Sequence, residues 1–232
     1  MEIVNNPDFQ YKHKNPYHNR LEDFSTFVFR DHEGENLIGK WNELGFKRVA
    51  PIFVEIGSGY GHFMIDFCQK NPQINYIGMD YRFKRSFQLA KKLEGIKHKN
   101  FRYLRGRAER IDYIFEENEI DKIFCFFPDP WPKTRHFKKR VFQKYFFEKA
   151  YNVLKPGGKI YIKTDHDDLS EWVDKILHDN PYFTVEYSTK DLWKDGNEPF
   201  LNSFTTKFEK IFLSKNINIK AYVLKTNKLD NN

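Results

Sequence analysis

The sequence predicts an α/β protein, a doubly wound and mostly parallel seven-stranded sheet with one antiparallel strand. Three observations carry that prediction. From Pro51 onward, short apolar runs alternate with longer amphipathic ones, the pattern of strand–helix–strand units joined by right-handed crossovers. Three glycines, Gly57, Gly59 and Gly61, mark the first strand-to-helix junction. Acids close successive apolar runs, and a doubly wound sheet binds ligands beyond the carboxyl ends of its strands. That rule places Glu55, the glycine loop, Asp80, Arg107, Asp129 and Asp165 along one rim.

The elements follow in order. Strand one spans about Ile52–Ile56, and a helix runs from His62 towards Lys70, stopped by Asn71-Pro72. Strand two is about Asn75–Met79, with a helix from Arg82 to Leu93. Strand three is about Phe101–Leu104, and a short helix near Arg110–Glu116 leads to strand four, Lys122–Phe127. A long helix is expected from about Lys138 to Leu154, broken by Lys155-Pro156-Gly157-Gly158. Strand five is Lys159–Thr164, a helix spans Leu169–His178, and strands near Phe183–Tyr187 and Lys220–Leu224 complete the sheet. Residues 51–226 thus form the main domain. Residues 1–50 lack the alternation and read as an N-terminal arm or small subdomain, and residues 227–232 as a frayed tail.

Composition sets the class. The 232 residues are 40% hydrophobic, with 24 Phe and 13 Tyr, so a substantial core is available. The net charge of +7 favours a polyanionic partner, and five cations, Lys133, Arg135, Lys138, Lys139 and Arg140, fall within eight residues. The two cysteines, Cys68 and Cys125, sit in apolar sequence and read as buried thiols of a reducing compartment. No Cys/His spacing suggests a metal, and none is expected. There is no secretory h-region and no apolar run of the ~20 residues a membrane span needs. A cytoplasmic protein without a membrane partner is expected.

Gly57, Gly59 and Gly61 follow an apolar strand and open a helix, where glycine permits positive φ and close approach of a ligand. A nicotinamide or flavin enzyme can use such a loop too. The GxGxG spacing favours S-adenosylmethionine, as does Glu55 just before the loop. A carboxylate there repels a pyrophosphate but suits a ligand carrying sulfonium and ammonium groups. Asp80, about twenty residues on, can accept from both ribose hydroxyls; it can also cap the helix that follows.

Asp129 lies between Pro128 and Pro130, which fix the backbone on both sides. A rigid carboxylate at the end of strand four suits the N1–H and N2–H donors of a guanine. Trp131 can stack on a base or buttress the loop. The cations that follow suit phosphates, and a solvated helix face is the plainer alternative.

The run FFPDPWPKTRHFKKR, preceded by VEIGSGYG and GMD, resembles the tRNA (guanine-N7-)-methyltransferase family over roughly residues 50–225. The proline-flanked acid with Trp, Lys, Arg and His is specific to that family; the glycine loop is generic. The resemblance implies a Rossmann-like class I methyltransferase that uses S-adenosylmethionine to methylate N7 of a guanine in the tRNA variable loop. It implies cofactor roles for Glu55, Asp80 and Asp129, with Asp129 also catalytic. It implies substrate contacts at Lys133, Asp165 and the Thr206-Lys207-Phe208-Glu209 element, with Arg135 beside Lys133. Where the family usually has Asp or Asn before Ala near the adenine, this chain has Arg107-Ala108-Glu109, so the backbone at Arg107 and Ala108, or Glu109, must supply the contact. A monomer or a homodimer, with or without a second subunit, is compatible with the sequence. The alternatives are a methyltransferase acting on another nucleobase or a protein, and a non-catalytic RNA-binding protein of the same fold.

Overall fold

The computed structural model describes residues 4, 6–96 and 99–229. The first elements are α1 (Pro16–Arg20), β1 (Val28–Arg30) and α2 (His32–Glu35). The alternating region supplies β2 (Ile52–Ile56), α3 (His62–Lys70), β3 (Asn75–Asp80), α4 (Phe83–Glu94), β4 (Phe101–Arg105), α5 (Ile111–Ile114) and β5 (Ile120–Phe126). It continues with α6 (Lys144–Val153), β6 (Leu154–Thr164), α7 (Asp167–His178) and β7 (Phe183–Thr189). Three short helices, α8 (Leu192–Asp195), α9 (Pro199–Asn202) and α10 (Lys207–Leu213), precede β8 (Lys220–Thr226).

The strands form one sheet in the order β1-β4-β3-β2-β5-β6-β8-β7. β8 alone runs against its neighbours, pairing antiparallel with β6 and β7. The order reverses direction at β2, between β3 and β5, which opens the crevice where such sheets bind ligands. Apolar residues pack on both faces. Trp41, Phe115, Phe142, Phe146 and Phe147 cover one; Phe63, Phe67, Tyr76, Phe124, Phe126 and Tyr161 build an aromatic layer on the other. Both cysteines are buried and free.

Four features differ from the sequence expectation. The sheet has eight strands, because Val28–Arg30 pairs parallel with Tyr103–Arg105; three residues are too few for alternation to show. The first fifty residues therefore extend the same sheet. They are held by the Arg105–Asp31 ion pair and by the Trp41 indole N–H, which donates to the Ile114 carbonyl at 2.9 Å. The long helix expected from Lys138 begins only at Lys144. Before it, residues 134–139 form a 3₁₀ turn, and the Gln143 side chain donates to the Phe137 and Arg140 carbonyls at 2.8 and 3.2 Å. The Pro156-Gly157-Gly158 segment lies inside β6 rather than before it. The pairing jumps from Ile120↔Leu154 to Lys122↔Lys159, and Gly157, at φ 69°, absorbs the bulge. Finally, Asn227 and Lys228 are tied down. The Asn227 amide donates to the Tyr182 carbonyl at 2.9 Å, and Lys228 Nζ donates to the Asn152 and Leu154 carbonyls. Residues 230–232 of the expected tail lie outside the described residues.

Candidate active site

A cavity of about 410 Å³ opens at the carboxyl ends of β2, β3, β4 and β5. Ile56, Met79, Cys125, Val141 and Phe146 give it an apolar floor. Its polar wall is Asp80, Arg82, Arg107, Glu109 and Asp129. That combination, a flat apolar bed with a few convergent polar groups, is the usual make-up of a small-molecule site.

The glycine loop divides its tasks. Gly57 alone of the three lines the cavity, at φ 81°, and a Cβ there would point into open space. Its missing side chain leaves room for a ligand against the backbone. The Gly59 amide donates to Asp80 Oδ2 at 3.1 Å. Gly61, at φ 67°, lets the start of α3 pack against α4: a Cβ there would stand 2.2 Å from a Leu89 methyl. Asp80 Oδ1 accepts from the Arg82 amide at 2.9 Å. Asp80 thus both braces the turn that leads into α4 and presents its carboxylate to the cavity. Desolvation raises its pKa, opposed by the Arg82 and Gly59 amides and the Arg85 charge.

Glu55 departs from the expected rim. Side chains alternate along a strand, so with Ile56 on the cavity side, Glu55 points into the aromatic layer. It lies outside the cavity lining and accepts from the Tyr76 hydroxyl at 3.0 Å. Burial pushes its carboxyl up to about 8, partly offset by the Tyr76 hydrogen bond. A direct ionic contact between Glu55 and a ligand in the cavity is not what this geometry offers.

Asp129 projects from a tight loop. Phe127 at φ 53° and Trp131 at φ 44° bracket Pro128-Asp129-Pro130 in the left-handed region, which bulky residues rarely adopt. The Phe127 amide donates to the Lys163 carbonyl at 2.8 Å, anchoring the loop to β6. Trp131 lines the cavity; the His136 ring meets it edge-on at 5.5 Å, and Lys139 Nζ lies 4.7 Å from its centroid. The Asp129 side chain is 48% exposed, and Arg82 Nη2 donates to it at 2.6 Å. This Arg82–Asp129 bridge spans the mouth of the cavity. Arg82 is a site residue that sequence reasoning took only as a helix start; its position two residues beyond Asp80 was the available signal.

The cation run separates into two classes. Lys133, Arg135, Lys138 and Lys139 are exposed. Arg140 is 1% exposed, a correction to the expected phosphate cluster. Its guanidinium lies 3.8 Å from the Phe137 centroid and donates to the Pro130 carbonyl at 2.8 Å and the Asp168 carbonyl at 3.3 Å. It fastens the Asp129 loop instead.

The late element is split in the same way. Thr206 and Glu209 form a capping box for α10. Glu209 is fully buried; it accepts from Lys163 Nζ at 3.0 Å and from the Trp193 indole at 2.9 Å. Lys163 also donates to the Leu201 and Phe204 carbonyls. These two buried charges hold residues 192–213 to β6, so neither Glu209 nor Thr206 is presented to a large substrate. Lys207 and Phe208 are exposed, Phe208 by 54%. Phe208 stacks on Phe212, whose ring lies 5.5 Å from Phe127. That places Phe208 on the Asp129 side of the cavity. Asp165 is half-buried just beyond β6, and its carbonyl accepts from Lys220 at 3.1 Å.

The fold also gathers His13, His18 and Asp31, dispersed in sequence, with ligand-type atoms within 4.8 Å of one another. Arg105 donates to both Asp31 oxygens, and its Nη1 lies 3.0 Å from His13 Nε2. A guanidinium already fills the cationic role there, so the grouping does not suit a metal.

The cavity fits the cofactor that the sequence suggests. Gly57 offers an open cradle, and Asp80 offers acceptor capacity for a ribose diol. Ala108, the backbone around it and the neighbouring Glu109 line the cavity where the family usually has Asp or Asn.

Comparison with known proteins agrees. A family model described as "Putative methyltransferase" matches residues 49–222. A tRNA (guanine-N(7)-)-methyltransferase of Clostridioides difficile is 34% identical over 201 residues, covering 86% of this chain and 91% of that protein. One from Leuconostoc citreum is 34% identical over 200 residues, covering 82% and 88%. A bifunctional glycosyltransferase/methyltransferase of Fusobacterium nucleatum is 35% identical over 208 residues; the match covers 88% of this chain and 32% of that protein, so the chain spans about a third of that relative. Among solved structures, a 16S rRNA methyltransferase superposes with a TM-score of 0.59 at 13% identity, over 85% of this chain and 94% of that one. An antibiotic-related methyltransferase gives 0.53 at 15% identity, over 94% and 97%. At these identities the structures share the fold.

Proposed function

The chain belongs to the tRNA (guanine-N7-)-methyltransferase family, and from that premise we propose that it transfers a methyl group from S-adenosylmethionine to N7 of a guanine in the tRNA variable loop. One observation carries the reading: a proline-fixed, half-exposed carboxylate, Asp129, stands at the mouth of a cavity that fits the cofactor. No helix among the described residues is long and apolar enough to cross a membrane; a cytoplasmic enzyme acting on tRNA is the matching setting.

Bound S-adenosylmethionine supplies an electrophilic sulfonium methyl. The protein holds it with the Gly57 backbone, the Asp80 carboxylate on the ribose hydroxyls, and the Arg107-Ala108 backbone beside the adenine. Guanine N7 carries a lone pair and no proton, so no side chain need act as a base to create the nucleophile. The demand is in-line placement of N7 at about 3 Å from the methyl group. Asp129 meets it by exchanging its Arg82 partner for the N1–H and N2–H edge of the guanine. As methylation makes the purine cationic, the fixed carboxylate stabilises the growing charge without reorganising. It is also placed to accept the N1 proton, which methylation acidifies.

Taking the base out of its stack costs a few kcal/mol; Lys133, Arg135, Lys138 and Lys139 offset this through phosphates. Lys207, Phe208 and Asp165 offer further contacts on the same side. The test is a transfer assay with purified protein, unmodified tRNA and methyl-labelled S-adenosylmethionine, followed by nucleoside analysis. Label in 7-methylguanosine is expected; label in another nucleoside would overturn the role given to Asp129.

A further inference from the structure

A second cavity, of about 590 Å³, lies between residues 9–15 and the start of α4. It shares Tyr81, Arg82 and Arg107 with the active-site cavity, so the two adjoin across these side chains. We propose that this cleft is a second RNA subsite, which holds the phosphate and stacked base of a nucleotide neighbouring the target guanine. The inference rests on the methyltransferase reading for the identity of the RNA, and on the cleft itself for the chemistry.

Charge is the first argument. Lys12, Lys84 and Arg107 line the cleft, and none has a carboxylate partner among the described residues. No Asp or Glu lines it. Among the described residues, three acids bond side chains of its wall from outside: Asp31 pairs with Arg105, Glu35 accepts from the Tyr11 hydroxyl, and Asp129 pairs with Arg82. Lys12, Lys84 and Arg107 are left over as unpaired cations in the concavity, which attracts phosphate. Aromatic character is the second argument. Tyr81 is 42% exposed where the two cavities meet, with the Arg107 guanidinium 5.3 Å from its centroid. An exposed ring beside a guanidinium is a stacking platform for any base.

Arg82 links the two sites. It lines both cavities, and Asp129 is its one ion-pair partner among the described residues. When a guanine takes Asp129, the freed guanidinium has the neighbouring phosphate as its alternative anion. The target base and the nucleotide beside it are then gripped together.

The test uses the full chain. Lys12→Glu with Lys84→Glu changes two exposed side chains outside the cofactor cavity. Lys47→Glu with Lys70→Glu makes the same charge change near the amino ends of β2 and β3, away from both cavities. We measure tRNA affinity across a salt series, S-adenosylmethionine affinity and thermal unfolding. The cleft pair is expected to weaken tRNA binding about tenfold or more and to lower the salt slope by about 2. Cofactor affinity and unfolding temperature stay unchanged, and Lys12→Arg with Lys84→Arg restores binding. Tyr81→Ala adds a further loss that Tyr81→Trp does not. A cleft pair no weaker than the remote pair overturns the proposal. The two readings fail separately: label in 7-methylguanosine with affinity unmoved removes the subsite alone. Affinity loss without 7-methylguanosine removes the reaction and leaves the subsite standing.

Discussion

The Asp129 side of the active site and the cleft that adjoins it are built in opposite ways. The Asp129 loop comes from a single stretch, Phe127 to Arg140, with Arg140 turned in to fasten it, and residues 192–213 lie beside it on the Lys163–Glu209 pair. The adjoining cleft assembles Lys12, Tyr81, Lys84 and Arg107 from three separate segments, with Arg105 paired to Asp31 beneath. One is a motif and the other is a product of the fold. Their common device is a buried ion pair at the end of a strand: Lys163–Glu209 seats residues 192–213, and Arg105–Asp31 seats the N-terminal segment.

The largest expected effect comes from breaking those seats. Lys163→Met leaves Glu209 buried without its cation, and Arg105→Met does the same to Asp31. Each should cost about 3–5 kcal/mol in denaturant unfolding. Proteolysis should then open residues 192–213 in the first variant and residues 9–30 in the second. Lys163→Met with Glu209→Leu should recover most of the loss, because a paired apolar replacement leaves no unpaired charge. A segment that stays protected in its own variant would show that the ion pair does not hold it.

Asp129→Asn sharpens the contrast between catalysis and scaffold. It keeps the loop's shape but removes the charge, so turnover should fall by ~10² or more while cofactor affinity stays within a few-fold. Near-normal turnover in single-turnover kinetics would sink the role.

Glu55, the acid turned into the aromatic layer, should make stability depend on pH. Glu55 holds its proton up to about 8 in the folded protein, against about 4.5 when exposed. Its contribution to stability is therefore complete below about pH 4.5 and lost as pH rises through about 8. Relative to Glu55→Gln, the unliganded protein should lose on the order of 3 kcal/mol between pH 5.5 and 8.5. A flat difference across that window would place Glu55 in water rather than in the aromatic layer.

The smallest effects separate neighbours in one run. Arg140→Ala should cost about 1–2 kcal/mol of stability through its lost hydrogen bonds and ring contacts. Lys138→Ala should leave stability unchanged and reduce the salt slope of tRNA binding by about 1. The reverse assignment would return Arg140 to the phosphate-binding face.

Much of this was legible in the sequence because the signals are local. The limits of β2 and α3 follow from apolar runs punctuated by glycine and proline. Asp129 is marked by the prolines beside it, and Asp80 by its distance from the glycine loop. The rest depends on tertiary placement. β1 is too short to display a period. Arg140 looks like its lysine neighbours until Phe137 and Pro130 give it an interior berth. Glu55 precedes the glycine loop as expected, but strand alternation turns it away from the cavity. Arg82 acquires its role only because β3 and β5 end on either side of β2. Lys12 and Lys84 are seventy-two positions apart, and nothing local to either announces a shared cleft.

The most direct test of the central claim, that guanine N7 is the nucleophile held by Asp129, is methyl transfer to tRNA in which the guanosines are replaced by 7-deazaguanosine. That base keeps the N1–H and N2–H edge but has carbon in place of N7. Binding near that of ordinary tRNA with no label incorporated is the predicted result. Label transferred to the 7-deaza tRNA at an ordinary rate would contradict it.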